Sequence, residues 1–187
     1  MKLYLINKVN EISIEVLKHY INDLNYKIHL KLPAWSVDSV RFLLKEFSSS
    51  ERKSLVLHSY YELALELGLS GININSWYKE FDNVLLNKIR TSNLSISKSC
   101  HSLQELQDGE SFDYLVFSPV FSSISKENYH PKVSESKLTE TLKKVPTPVV
   151  ALGGVTPDNY SKLSELGFKG AMLSGFIWDA KNLKEVA

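Results

Sequence analysis

The chain has 187 residues, 43% of them hydrophobic and 23% charged, with 22 basic side chains against 21 acidic ones. That length suits one domain around one sizeable core, and the near-zero net charge argues against nucleic acid or an anionic membrane surface as a partner. A single cysteine, Cys100, excludes an intramolecular disulfide and a multi-cysteine metal site. The first apolar run is too short for a signal peptide and no stretch reaches the length of a membrane span, so the expected compartment is the cytoplasm.

Short apolar runs alternate with amphipathic ones along the whole chain. Leu3–Ile6 reads as a strand, and residues 11–21 place Ile12, Val16 and Ile21 on one helical stripe. Tyr26–Leu30 is a strand and Val37–Phe47 a helix with Val40, Leu43, Leu44 and Phe47 on one face. Leu55–Leu57 is a buried strand; Tyr61–Leu67 is a helix stopped by Gly68; Gly71–Asn75 is a strand. Residues 77–86 read as a poorly patterned connection, and Leu94–Ser97 alternates like a strand. Ser102 and Glu105 form a capping box for the helix Leu103–Gln107. Asp113–Phe117 is a strand, residues 118–133 a long loop, and Lys137–Lys143 a helix. Pro148–Leu152 is a strand ending in Gly153-Gly154, Thr156–Leu166 a helix stopped by Gly167, and Gly170–Leu173 the last strand. Eight strands alternating with helices predict an α/β fold with a parallel sheet, open or closed. Nothing marks a linker, so residues 1–187 are expected to form a single domain.

Ligands of parallel α/β folds bind at the C-terminal ends of the strands. The clearest signal there is the pair Gly153-Gly154 and Ser174-Gly175, after the seventh and eighth strands. Glycine lets a backbone approach a ligand, its N–H groups favour an anion, and these two loops are a frequent phosphate site in eight-stranded barrels. The run Ser122-Ser123-Ile124-Ser125-Lys126 offers hydroxyls and one point charge to a pyrophosphate. His29, His58 and His101 lie at or near strand ends, but no spacing among them suits a zinc site. His101, flanked by Ser99 and Ser102, is the best single candidate for proton transfer. Carboxylates are scarce at the strand ends; Glu80 and Asp82 sit in a connection. Trp35, Trp77 and Trp178 stand near strand ends, where core or rim packing is the commoner role.

Ser99-Cys100-His101-Ser102-Leu103, Asp113 through Phe121, Ser123-Ile124-Ser125-Lys126, Ala151 through Val155 and Gly167 through Gly175 occur in the order found in one family. In this combination the chain resembles the thiamine-phosphate synthase and thiazole tautomerase family. The resemblance implies a single (β/α)8 TIM barrel. It implies a transferase of thiamine biosynthesis that joins a thiazole phosphate to a hydroxymethylpyrimidine pyrophosphate and releases pyrophosphate. Gly153, Gly154, Ser174 and Gly175 would hold the thiazole phosphate. Ser99, Ser123, Ser125 and Lys126 would hold the pyrophosphate, with His29, His58 and Asn73 on the pyrimidine side. Lys31, Lys126 and His101 are the expected catalytic groups.

The departures fall on the other half of the site. Where the synthases carry Gln-x-Arg-x-Lys after the second strand, this chain has His29-Leu30-Lys31-Leu32-Pro33. Where they carry Asn-Asp after the third, it has His58-Ser59; Asn73 stands for a histidine, and Asn75-Ser76-Trp77-Tyr78 covers the second metal aspartate. Magnesium is thus implied by the resemblance while its carboxylate ligands are replaced, with Asp82 as a conceivable substitute. The tautomerase branch has a histidine where this chain has Pro119. A divergent synthase is the first expectation; a tautomerase-like isomerase or a non-catalytic binder of thiazole phosphate or thiamine phosphate are the alternatives. The expected partner is a small phosphorylated heterocycle, and a homodimer is compatible with the sequence.

Overall fold

Aliphatic runs too short to bury themselves as helices form the strands, and each amphipathic stretch lays its apolar face over them. The computed structural model describes residues 1–7, 12–75, 83–122 and 130–178. In chain order the elements are β1 Lys2–Ile6, α1 Ile14–Asn22, β2 Lys27–Leu30, α2 Val37–Lys45, α3 Ser49–Arg52, β3 Leu55–Leu57, α4 Tyr61–Glu66 and β4 Gly71–Ile74. There follow α5 Asn83–Thr91, β5 Ser95–Cys100, α6 Leu103–Gln107, β6 Tyr114–Phe117, α7 Glu135–Lys144, β7 Val149–Ala151, a 3-10 turn Pro157–Asn159, α8 Tyr160–Leu166 and β8 Gly170–Leu173. All neighbouring strands pair in parallel and β8 closes on β1, giving one (β/α)8 barrel.

Two expectations are corrected. Residues 83–91 form the helix α5, which begins inside the stretch 77–86 expected to be an unpatterned connection; its Ile89 is fully buried, but the polar run Arg90, Thr91, Ser92 and Asn93 after it masked the period. The short helix α3 was not expected; Ser48 and Glu51 close a capping box around it. The Ser102–Glu105 capping box is present as read.

Strand alternation sorts the core into two clusters. Leu5, Ile28, Leu30, Leu55, Leu57, Ile72, Leu115, Ala151 and Leu173 point outward into the layer shared with the helices. Tyr4, Ile6, Tyr114, Val116, Val150 and Met172 fill the barrel, with Leu152 against them. Strand register arranges the inward positions in layers drawn from alternate strands. Uppermost are Ile6, His58, Ser99 and Leu152; beneath them His29, Asn73, Val116 and Met172; then Tyr4, Val56, Ser97 and Val150. Tyr4 needs room near the bottom, and Gly170 supplies it: a Cβ there would lie 2.9 Å from Tyr4 Cε2 and 3.0 Å from Val150 Cγ2. The barrel is therefore apolar on the β6–β7–β8–β1 side and polar on the β2–β5 side.

Candidate active site at the C-terminal mouth

The strands end in a cavity of about 110 Å3 lined by Ile6, Lys31, His58, Asn75, Ser99, His101, Val116, Ser118, Leu152 and Met172. Its floor is apolar (Ile6, Val116, Leu152, Met172) and its rim polar. An apolar pocket with a few directed polar groups is the usual form of a small-molecule site.

Lys31 supplies the described cation at this rim. Its backbone is clamped to the end of β1, where Asn7 Nδ2 donates to the Lys31 carbonyl at 3.1 Å and Asn7 Oδ1 accepts from the Lys31 N–H at 2.6 Å. Trp178 Nε1 donates to the Ile6 carbonyl at 3.2 Å, tying the segment after β8 to the same strand end.

His101 follows β5. Its Nδ1 lies 2.7 Å from the Ser118 carbonyl oxygen, which can only accept, so Nδ1 bears a proton and the neutral form of the ring has its lone pair on Nε2. The capping-box carboxylate of Glu105 accepts from the His101 N–H at 2.5 Å and holds this turn.

His29 and Asn73 are fully buried below the rim, and His58 is 6% exposed. His58 Nε2 lies 2.9 Å from His29 Nδ1, and His29 Nε2 lies 2.7 Å from Tyr114 Oη. Asn73 Nδ2 lies 3.3 Å from His58 Nδ1 and donates to Ser99 Oγ at 2.9 Å; Ser97 Oγ donates to Asn73 Oδ1 at 3.0 Å. Burial pushes His58 down to about 3, aided by the nearby Lys31 charge and opposed by the Asn75 side chain. His29 is held well below its ordinary value by burial first, then by His58 and Lys27. Both rings are therefore neutral throughout the physiological range.

Opposite this polar side stand the two glycine turns. Gly153 and Gly154 both have positive φ, and a Cβ on Gly154 would lie 2.4 Å from the Ser122 carbonyl oxygen and 2.8 Å from Phe121 Cβ. Asn159 Nδ2 donates to the Gly154 carbonyl at 2.9 Å and fixes the turn. After β8, the Ile177 N–H donates to the Ser174 carbonyl at 3.0 Å, closing a turn over Ser174-Gly175. Among the described residues, the N–H groups of Gly153, Gly154, Ser174 and Gly175 have no backbone acceptor. Strands β7 and β8 are paired, so the two turns are neighbours on the rim.

The structure thus brings Lys31, His58, Ser99 and His101 to one cavity and sets His29 and Asn73 beneath it. Ser123, Ser125 and Lys126 lie outside the described residues, as do Trp77, Tyr78, Glu80 and Asp82. Sequence reading missed Asn7, Ser97 and Tyr114. Period-two alternation marks Ser97 and Tyr114 as inward, but nothing in the sequence pairs Asn7 with Lys31.

Magnesium takes oxygen ligands in near-octahedral geometry, with one or two carboxylates in most sites. Among the described residues no carboxylate lines this cavity, and no three His, Cys, Asp or Glu side chains form a metal-holding group. Magnesium prefers oxygen over nitrogen ligands, so an ammonium and two imidazoles do not suit that ion, and the described mouth does not fit it. No helix of the described residues is long and apolar enough to cross a membrane.

Comparison with known proteins agrees with the site. Residues 41–177 match the family model described as thiamine monophosphate synthase. The chain is 27% identical over 133 residues to thiamine-phosphate synthase of Latilactobacillus sakei, covering 70% of this chain and 58% of that relative. It is 28% identical over 153 residues to the enzyme of Lactococcus lactis subsp. cremoris, covering 80% of this chain and 68% of that one. The match to the first relative thus leaves over a third of that relative's length uncovered. Its fold is similar to that of thiamine phosphate pyrophosphorylase from Bacteroides thetaiotaomicron, with a TM-score of 0.73 at 24% identity over 100% of this chain and 97% of the other. With a (β/α)8 barrel that carries paired glycine turns at the ends of β7 and β8, and a family model matching well over half its length, the chain belongs to the thiamine monophosphate synthase family.

Proposed function

We propose that this protein joins a thiazole phosphate to a hydroxymethylpyrimidine pyrophosphate, with release of pyrophosphate, as a slow member of its family. The observation that carries the reading is the division of one mouth into two sides. Backbone N–H groups on Gly153, Gly154, Ser174 and Gly175, which have no backbone acceptor among the described residues, suit a phosphate monoester beside an apolar floor. Lys31 and Ser99 stand across from them, and Ser99 Oγ, which accepts from Asn73, keeps its own proton for a ligand oxygen.

In the transfer, the thiazole nitrogen forms a bond to the pyrimidine methylene as the bond from that carbon to the pyrophosphate oxygen breaks. Negative charge gathers on the departing pyrophosphate, where fixed donors are worth most. Lys31 offers it a point charge, anchored through its backbone by Asn7, but not the two-pronged clamp of an arginine. Ser123, Ser125 and Lys126 are the further donors of the reading. The test is incubation of the purified protein with both substrates and fluorescence detection of thiamine phosphate after oxidation, with calorimetric titration of the thiazole phosphate alone. Neither heat nor product would end the proposal.

His101 favours a second reading, an isomerase that moves a proton on a thiazole phosphate, because its Nε2 lone pair is presented at the cavity. Deuterium uptake into thiazole phosphate from heavy water, lost in His101→Gln, would support that reading over transfer.

A further inference from the structure

Below the rim, one hydrogen-bond chain from Asn73 through His58 and His29 to Tyr114 has its directions set by donor chemistry. An amide nitrogen only donates, so His58 Nδ1 accepts from Asn73 and the His58 proton sits on Nε2. That proton goes to His29 Nδ1, which leaves the His29 proton on Nε2, aimed at Tyr114 Oη. Tyr114 Oη accepts that proton at 2.7 Å, and Ser97 gives its own proton to Asn73 Oδ1 or the Ile72 carbonyl, which fixes the Asn73 amide at the head of the chain. The reversed direction would need the Asn73 amide nitrogen to accept. Burial holds both imidazoles uncharged, and Lys31 and Lys27 stand on the two flanks to oppose a proton there.

We propose that His29 is a positioning residue for the candidate site: with Tyr114 behind it, it holds His58 as the single Nε2–H tautomer with both nitrogens engaged. His58 then meets a ligand as an uncharged ring face, neither giving nor taking a proton. The group it accepts is an uncharged heteroaromatic ring, and proton transfer at this mouth is left to His101. The inference rests on the mouth being the ligand site.

The experiment is a long-range proton–nitrogen correlation spectrum of the protein labelled with 15N-histidine, with His58 assigned by its loss in His58→Asn. In the free wild type, His58 and His29 should each show an unprotonated Nδ1 and a protonated Nε2, and hydroxymethylpyrimidine pyrophosphate should shift the His58 signals without changing that pattern. His29→Leu should release His58 into exchange between tautomers and weaken hydroxymethylpyrimidine pyrophosphate binding about tenfold, the usual cost of one directed hydrogen bond. His29→Gln, whose amide can accept from His58 and donate to Tyr114, should preserve both. If His29→Leu does not fold, Tyr114→Phe removes only the far acceptor and should speed exchange of the His29 Nε2 proton. A wild-type His58 protonated on Nδ1, or spectra and affinity unchanged in His29→Leu, or an unchanged His29 signal in Tyr114→Phe, would overturn the proposal. A wild type that does not bind hydroxymethylpyrimidine pyrophosphate would overturn the reading of the site, whereas the tautomer in the free protein judges the hydrogen-bond chain by itself.

Discussion

Acid should loosen this barrel from its interior before its surface carboxylates respond. In the unfolded chain His58 takes up a proton near 6.5, its ordinary value, while the folded protein keeps the ring neutral down to about 3. Between those limits the unfolded state binds more protons, so stability rises with pH across the window. The contribution is intact above 6.5 and is lost progressively as pH falls toward 3. At pH 5 the loss from His58 alone is about 2 kcal/mol, taking about 1.4 kcal/mol for each pH unit below 6.5. His29, shifted the same way by burial, His58 and Lys27, adds to it. Domains of this kind hold only about 5–15 kcal/mol in total, so the effect is readily measured. The exposed Glu51 and Glu140 are also shifted down, but their ordinary value of 4.5 keeps them out of a series stopped at pH 5. Urea unfolding followed by tryptophan fluorescence at pH 7.5, 6.5, 5.5 and 5.0 should show the decline, and the double variant His29→Gln/His58→Asn should flatten it. Equal slopes for the two proteins, or a wild type equally stable from pH 7.5 to 5, would refute the buried neutral pair.

Three further outcomes are expected. Gly154→Asp places a side chain at φ +64 with its Cβ 2.4 Å from the Ser122 carbonyl oxygen. The left-handed conformation costs about 1–2 kcal/mol and the crowding about 1–3; a Tm lower by roughly 4–20 °C and no calorimetric binding of thiazole phosphate should result. Lys31→Met should weaken inorganic pyrophosphate binding in the same calorimeter while leaving thiazole phosphate affinity within twofold. Ser59→Asp, alone and with Tyr78→Asp, should raise product formation and create a magnesium requirement; a dominant electrostatic group is commonly worth about 10²–10³ in rate. A wild type already running at full speed with magnesium would show that its metal ligands lie elsewhere.

The architecture was legible because each strand is a short apolar run between amphipathic stretches, a pattern that leaves few topologies. The Val149–Ala151 and Gly170–Leu173 strands could be read with their glycine turns because both ends carry punctuation. The helix Asn83–Thr91 escaped because its polar positions outnumber its buried ones. Within the site, the residues after strands were visible one by one, since strand ends mark the ligand face. What sequence could not give was depth. His29 and His58 each read as strand-end histidines, yet one is sealed inside and the other lines the cavity. That difference depends on register between β2 and β3, which pairs His29 with Val56 and leaves His58 one layer higher. The Asn7 clamp on Lys31 was equally hidden, because it joins residues 24 apart through backbone atoms that carry no sequence signal.

The polar side of the barrel has a physical consequence for specificity. Unpaired polar groups in a dry interior are costly, so His29, Asn73, Ser97 and Tyr114 persist there only as a mutually hydrogen-bonded set. Exchanging the set for aliphatic side chains would cost little stability by itself, since a satisfied network contributes modestly over packed hydrocarbon. Such a core would take from His58 the Asn73 and His29 partners of its two nitrogens, leaving the ring free to choose a tautomer or to turn away. The interior network is therefore best understood as the support for the floor of the mouth. On the other side, Val116, Leu152 and Met172 reach the same level with no polar atoms to satisfy, and the directed groups there are backbone N–H donors fixed by glycine. One side of the mouth is specified by side-chain hydrogen bonds and the other by backbone conformation. Substitutions on the first should alter which ring is accepted, and substitutions on the second whether a phosphate is held at all.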